Sequence, residues 1–314
     1  MNNSNMKTFL LRISLYIIGV VAVLLFLGSY ADGNTDDNYM HFTGAKPSNI
    51  ILGDSRGAQA IVPDVLNTKF KNREFNNFAF NIAESPYGKV YFEALKKKIN
   101  PHAQNGIFIL TVSPWNVSVE MSDNNVEIYP ESISPLVDMC FYDLNPNYEY
   151  LLKNYTSSWF NIYRDREEVI KSKTYLHKNG WMEVTVNIES DTIAKRQEKK
   201  IKEYTAMIMN HKISQYRIHY LEEMIKFLKD KGSVYLVRIP VSKQMLDLEY
   251  SYCPNFNVKM REIADKNKIN YFDFSERYDH YIYTDGNHMY KESGKVLTTQ
   301  IADSIFAHSD MLKK

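Results

Sequence analysis

Residues Ile13–Tyr30, ISLYIIGVVAVLLFLGSY, carry no charge over 18 consecutive positions. A run of that length reaches the lower limit for a helix that crosses a bilayer, where every backbone polar group must be satisfied within the segment. Lys7 and Arg12 precede it; Asp32, Asp36 and Asp37 follow it. Basic residues are retained on the cytoplasmic side. The asymmetry therefore puts the N-terminus inside and everything after residue 31 across the membrane. A cleaved signal peptide competes, because Ser29-Tyr30-Ala31 offers a small-residue cleavage site. The length of the apolar run favours an uncleaved membrane anchor over residues 1–31. Both readings export the remainder.

The 314-residue chain is long enough for a sizeable core, and its net charge of +1 offers no basic field for nucleic acid. Cys140 and Cys253 could pair after export or remain two thiols. The eight histidines are scattered, and no Cys/His cluster has metal-ligand spacing. No metal or cofactor is expected.

Residues 32–47 are polar, with Gly, Asn, Asp and Pro47, and read as a linker. An alternation of elements follows. Asn49–Gly53 reads as a first strand and Gly57–Phe70 as helix interrupted by Pro63. Glu74–Phe80 is a second strand, Pro86–Ile99 a helix with a lysine-rich end, and Gly106–Val112 an apolar third strand. Residues 118–190 interrupt the pattern with prolines, tyrosines, Trp159 and Trp181, and read as an insertion. Helix resumes over Ile193–Lys231, with a possible break near Asn210. Its first half, AKRQEKKIKEY, reads as a solvated face. Gly232–Ile239 is a fourth strand, Asn255–Lys266 a helix, Asn270–Phe274 a fifth strand and Glu292–Ala307 a last helix. Strands alternating with helices imply a parallel sheet with right-handed crossovers. The expectation is one α/β domain over residues 48–314, with five parallel strands.

Two short blocks carry the chemistry. The first strand leaves through Gly53-Asp54-Ser55-Arg56-Gly57. Ligands of open parallel sheets bind at the carboxyl ends of the strands, so Ser55 is a candidate nucleophile. Helix capping by Asp54 or Ser55 is the plainer reading. Near the C-terminus stands YTDGNHMYKESG, with Asp285 and His288 three residues apart. A serine nucleophile needs a base, and the base needs an orienting acid. His288 and Asp285 suit those roles. His280, beside Asp279, is the rival base, and Asp273 reads as a loop support.

Gly53-Asp54-Ser55 and Asp285-Gly286-Asn287-His288 together resemble the first and last blocks of the SGNH, or GDSL-like, hydrolase superfamily. The resemblance extends over about residues 48–308. It implies a three-layer α/β/α sandwich, flavodoxin-like, and carries the family's nucleophile, acid and base onto Ser55, Asp285 and His288. The middle blocks depart from the pattern. Asn77-Phe-Ala-Phe-Asn81-Ile-Ala-Glu-Ser85-Pro has no glycine after the second strand, so an amide near Ala83 would stand in as an oxyanion donor. Asn116, in Ser113-Pro-Trp-Asn116, falls where the family's asparagine would, without its usual neighbours; its other reading is a turn that closes the strand. The Ser55 amide completes the expected oxyanion set. Arg56 departs from the Leu of the family's name, as in a membrane-anchored branch related to proteins acting on cell-surface polysaccharides. Arg56 and Arg238 are candidate rim ligands for an anionic substrate, although Arg56 could equally pair with Asp54. Gly53–Gly57 also satisfies G-x-S-x-G, the α/β-hydrolase nucleophile elbow. That family places more strands before its serine and separates its acid from its base.

The resemblance and the anchor together imply an exported serine esterase or O-acyltransferase. Its substrate would be an acylated, most simply O-acetylated, cell-envelope glycan. A transferase would depend on a membrane acyl-donor protein. The alternative is a non-catalytic glycan-binding or polysaccharide-assembly protein that retains the fold.

Overall fold

The computed structural model describes residues 3–170 and 172–308. Residues 1–2, 171 and 309–314, at the edge of the expected anchor, in the insertion and at the domain's end, lie outside the described residues. Helix α1 (Asn3–Gly28) carries the apolar run. Among the described residues it is the one helix long and apolar enough to cross a membrane, a test that an anchor and a signal sequence both pass.

The stretch expected as a linker is instead packed into the domain. Tyr39–Phe42 form a 3-10 turn whose four side chains are all buried. The Phe42 ring lies 5.0 Å from Tyr142 and 4.9 Å from Tyr150. Asp36 accepts from the amides of Asn38 and Tyr39 and from the Tyr150 hydroxyl. A stretch of polar composition thus hides apolar anchors that only long-range partners can bury.

The sheet unit then unfolds in chain order. Strand β1 (Asn49–Leu52) leads into helices α2 (Ser55–Ala60) and α3 (Pro63–Lys69). Strand β2 (Phe75–Asn77), helix α4 (Lys89–Lys98) and strand β3 (Gly106–Thr111) follow. Beyond β3 lies the insertion: β4 (Ser118–Met121), β5 (Glu127–Ile128), helices α5 (Pro135–Asp138), α6 (Tyr148–Lys153) and α7 (Trp159–Arg164), and the hairpin β6 (Thr174–Leu176) with β7 (Met182–Val184). Helix α8 (Ser190–Asn210), strand β8 (His211–Ile213) and helix α9 (Gln215–Lys229) come next. Strand β9 (Gly232–Arg238), helices α10 (Lys243–Tyr252) and α11 (Phe256–Asn267), strand β10 (Asn270–Asp273) and helix α12 (Lys291–His308) complete the chain.

The main sheet has five strands in the order β10-β9-β3-β1-β2, and every pairing is parallel. Alternate residues feed two separate cores. Ile50, Leu52, Phe108, Leu110 and Leu236 join side chains of α4, α9 and α11. Ile51, Ile107, Ile109 and Val237 join those of α3 and α12. Helices on both faces make three layers, and strands buried on both faces explain the uninterrupted apolar runs. Renumbered along the sheet, the order is 2-1-3-4-5, the flavodoxin-like winding, whose reversal lies between β1 and β3.

Local expectations change at the second strand, at the end of the insertion and at α10, while the break expected near Asn210 is present. The expected second strand ends at Asn77, because the following loop turns back on itself: Phe80 N donates to Ser85 Oγ, and Ser85 Oγ donates to Gly53 O. The long helix breaks after Asn210, where β8 pairs antiparallel with β4, so the insertion's small sheet is closed by residues beyond 190. Helix α10 lies in a segment not expected to be helical. Cys140 is exposed, Cys253 is buried, and both are free.

Gly53 sits at φ +146, in the region that disfavours side chains, and a Cβ there would fall 1.7 Å from Thr111 Oγ1. Gly53→Ala is therefore expected to lower stability by about 1–3 kcal/mol through overpacking alone, read by thermal unfolding. Adding Thr111→Ala should recover part of the loss. Unchanged stability in the single variant would contradict the close approach.

Candidate active site

Ser55 begins α2 directly after the turn at Gly53. Asp54 caps that helix, accepting from Arg56 N at 3.0 Å, and its other oxygen accepts from Ser113 Oγ at 2.9 Å. The capping reading of this block therefore holds for Asp54, and it leaves Ser55 free to face elsewhere. Ser55 Oγ lies 2.9 Å from His288 Nε2. His288 Nδ1 lies 2.9 Å from Asp285 Oδ2. The other Asp285 oxygen accepts from the amides of His288 at 2.8 Å and Asn287 at 3.0 Å. A serine and an Asp-x-x-His pair at opposite ends of the domain thus form one hydrogen-bonded chain. His280 is exposed beside Asp279 and takes no part; Asp273 accepts from Ser275 N and Oγ and supports its loop.

Burial alone would raise the Asp285 carboxyl. The hydrogen bond and charge of His288, with the two backbone amides, outweigh it and hold the group down to about 2. Asp285 therefore stays ionised down to strongly acidic pH. Its ordinary value is near 3.9, so the stability it contributes is full above about pH 4 and is lost as pH falls toward 2.

The histidine loop is fastened from several sides. Gly286 takes φ +79, and its carbonyl accepts from Ser242 N. Thr284 N donates to His288 O, and Tyr283 bridges Met289. The strongest tie is Arg56. Its Nε and Nη2 both donate to Asn287 Oδ1, at 3.0 and 2.6 Å, while Nη1 donates to Glu249 Oε1 at 2.6 Å. Glu249 also accepts from Trp115 Nε1 and from Arg238 Nη2. Burial disfavours the Glu249 anion, but Arg56 and Arg238 more than compensate and lower its pKa.

These contacts correct the expected rim ligands. Arg56 and Arg238 are 4% and 1% exposed. They are buried cations that share one carboxylate, Glu249, with the charges of Asp54 and Asp273 nearby, not groups presented to a substrate. The expected oxyanion donors are corrected as well. Ala83 N donates to Asn81 Oδ1 at 2.8 Å. Asn116 is fully buried; its Oδ1 accepts from Ser113 N and its Nδ2 donates to Thr111 O, which closes the turn after β3. Among the described residues the Ser55 amide has no protein acceptor, nor does that of Ile82 in the same loop as Ala83.

Helix α8 lies across this end of the sheet. Arg196 Nε donates to Thr284 O at 2.6 Å, and Gln197 packs so close to Gly286 that a Cβ there would meet its Cγ at 2.7 Å. Tyr204, the one buried residue of α8, sets its ring edge-on to Trp115 at 4.7 Å. The segment read as a solvated face is thus half cover. Ile82, Ala83, Pro86, Trp115, Val119 and Met207 line a largely apolar cleft of about 390 Å³ between α8 and the loops after β2 and β3. Of the other tryptophans, Trp181 donates to Gln59 O and Trp159 packs at the end of α1.

Sequence reasoning missed Glu249 and gave Asn287 no role. The spacing of Met245, Leu246 and Glu249 on one helix face is visible in the sequence. The two arginines that Glu249 meets are not.

No family model and no curated protein matches this chain. Among solved structures it is similar to a member of the lipolytic protein G-D-S-L family from Veillonella parvula DSM 2008. The identity is 12% and the TM-score 0.41, over 83% of this chain and 98% of that one.

Glu249→Ala would leave two buried guanidinium groups without their carboxylate. Removing one partner of a buried pair costs about 3–5 kcal/mol, and a fall of that size is expected in chemical denaturation. A loss below about 1 kcal/mol, the range of exposed pairs, would show that water reaches the arginines.

Proposed function

We propose that the chain is a serine-dependent carboxylic-ester hydrolase or O-acyltransferase, working through an acyl-enzyme on Ser55. The observation that carries the reading is the continuous hydrogen-bond chain Ser55 Oγ–His288–Asp285. With Nδ1–H donating to Asp285, His288 Nε2 turns its lone pair to Ser55 Oγ. The hydroxyl attacks the ester carbonyl, the Oγ–C bond forms, and the proton passes to Nε2. Asp285, ionised and fixed by two amides, stabilises the imidazolium. The Ser55 amide, which has no protein acceptor among the described residues, is available to the oxyanion. Collapse breaks the ester C–O bond as His288 returns the proton to the departing alcohol. Water, or a sugar hydroxyl in a transferase, then attacks the acyl-serine with His288 again as base. Arg56 touches none of the reacting atoms; it acts as a positioning residue through Asn287, the neighbour of His288.

The substrate class we propose is an acylated, most simply O-acetylated, cell-envelope glycan, with α1 as an uncleaved anchor and the domain outside the cytoplasm. The charge asymmetry around α1 supports the location. The resemblance of the two end blocks to SGNH hydrolases supports the chemistry. A separate membrane protein would supply acyl groups to a transferase.

A second reading, a non-catalytic glycan-binding or assembly protein, is favoured by the commitment of Ala83 N and the Asn116 carboxamide to internal turns. The two readings part in one assay. The full chain should release p-nitrophenol from p-nitrophenyl acetate and take a fluorophosphonate label on Ser55; Ser55→Ala should abolish both. Asp285→Asn should lower kcat by about 10³–10⁴-fold. Faster release with glycan acceptor, or acetylated acceptor in the product, marks a transferase. No turnover and no label would favour the binding reading.

Arg56→Lys keeps a buried cation but loses the planar fork that grips Asn287. It should reduce kcat about tenfold or more, the scale of a misplaced catalytic group, with KM little changed. An unaltered kcat would remove Arg56 from the positioning role.

A further inference from the structure

Most of α1 extends from the domain, but its last turn does not. The Tyr148 hydroxyl donates to Leu25 O at 2.6 Å. A Cβ at Gly28 would meet Tyr148, Leu151 and Trp159 at 2.5–3.2 Å, so α6 and α7 press directly on the helix backbone. Phe26, Tyr30 and Tyr163 form a triangle of rings 5.0–6.0 Å apart, and the Arg166 guanidinium lies 4.3 Å over Tyr163. The end of the apolar helix is therefore held rigidly by the insertion, not carried on a free tether.

This packing fixes a depth. The uncharged part of α1 begins at Ile13, directly after Arg12, and ends with the helix at Gly28, 16 residues, about 24 Å at ~1.5 Å per residue. The hydrocarbon layer is about 30 Å thick. With Lys7 and Arg12 at the cytoplasmic boundary, the last turn of a spanning α1 reaches no farther than the outer boundary of the bilayer. Whatever packs on Leu25 and Gly28 therefore sits at that boundary, not clear of the membrane. That places α6 and α7 there, and both expose apolar side chains that the fold leaves uncovered: Leu152 is 72% and Phe160 56% exposed. Tyrosine and tryptophan, the residues enriched at that depth, supply the surrounding ring contacts. The adjacent charges Arg164 with Asp165 and Lys153 with Glu149 are paired with each other.

We propose that α6 and α7 form a membrane seat, with Leu152 and Phe160 inserted at the headgroup–acyl boundary of the bilayer that α1 spans. The proposal rests on the anchor reading of α1. Its function would be to hold the sheet domain at a fixed attitude to the membrane surface, where a lipid-linked or membrane-delivered acyl group would be met.

The test uses the full chain in liposomes, with a single exposed cysteine carrying an environment-sensitive fluorophore in a Cys140→Ser background, and the unsubstituted Cys140→Ser chain as the control for the buried Cys253 thiol. The sites are L152C and F160C, V258C as a remote exposed control on α11, and V20C within α1. Residues 152, 160, 258 and 20 are all exposed in the fold, so substitution there leaves the core intact; a monodisperse elution profile checks each variant. Labels at 152 and 160 should shift to the blue and be quenched by lipids spin-labelled near the headgroup, while the label at 258 is not. Quenching at 20 by lipids spin-labelled along the acyl chain, without headgroup quenching at 152 or 160, would overturn the seat and retain the anchor. Absence of acyl-chain quenching at 20 would overturn both. A concentration-dependent blue shift at 152 and 160 without lipid quenching would assign the face to self-association instead.

Discussion

A single buried guanidinium holds the site together. Arg56 follows the candidate nucleophile, and its planar fork reaches Asn287 in the loop that carries His288 and Glu249 on α10. Three segments distant in sequence are thereby fixed around one charge. Such a network is high-stakes: complete, it rigidifies, and incomplete, it leaves an uncompensated ion in a low dielectric. Glu249 receives both arginines and the Trp115 indole, and Arg238 Nη1 reaches Asn257.

The sheet determines why this network stands where it does. The winding reverses between β1 and β3, and their carboxyl ends diverge to open a crevice there. Gly53 and Ser113 leave those two strands, and Asp54 joins them by accepting from Ser113 Oγ. The loop after β2 is pinned to the same point by Ser85 Oγ on Gly53 O. Helix α8 then crosses beside it, fastened at Thr284 and at Trp115. Its inner face packs Tyr204, Ile201, Met207 and Ile208 on a small core with Trp115, Val241, Met245 and Leu246, while its charged residues stay outside.

The insertion couples the two ends of the chain. Its helices α6 and α7 grip the last turn of α1, while its hairpin reaches the site region: Trp181 bonds Gln59 O in α2, and Glu183 on β7 pairs with Lys291 at the start of α12. The segment Tyr39–Phe42 fills the space between, under Tyr142 and Tyr150. The path from apolar helix to Ser55 is therefore packed throughout, which makes the position of the helix's last turn relative to the candidate site a property of the fold.

The inner strands β1, β3 and β9 were legible in the sequence because a strand buried on both faces is apolar at most positions, and that needs no partner to be read; the edge strands β2 and β10, FNN and NYFD, were legible only from their place in the alternation with helices. The apolar helix was legible for the same reason as the inner strands. Ser55, Asp285 and His288 were legible as candidates because Gly-Asp-Ser and Asp-x-x-His each carry a local geometry, a turn and a loop spacing. What stayed hidden depended on partners far along the chain. Arg56 and Arg238 looked like rim ligands because a charge in a sequence is read as solvated; only the fold brings Glu249 between them. Ala83 and Asn116 are the exception: the family resemblance made them look like donors, while local turns, of which the one at Asn116 was the alternative reading, take their hydrogens at Asn81 and Thr111. Residues 32–47 looked like a linker because their composition is polar, while burial is decided by the aromatic residues of a later insertion. Period and turn chemistry are encoded within a few residues; hydrogen-bond satisfaction and the pairing of buried charge are settled only when the chain closes.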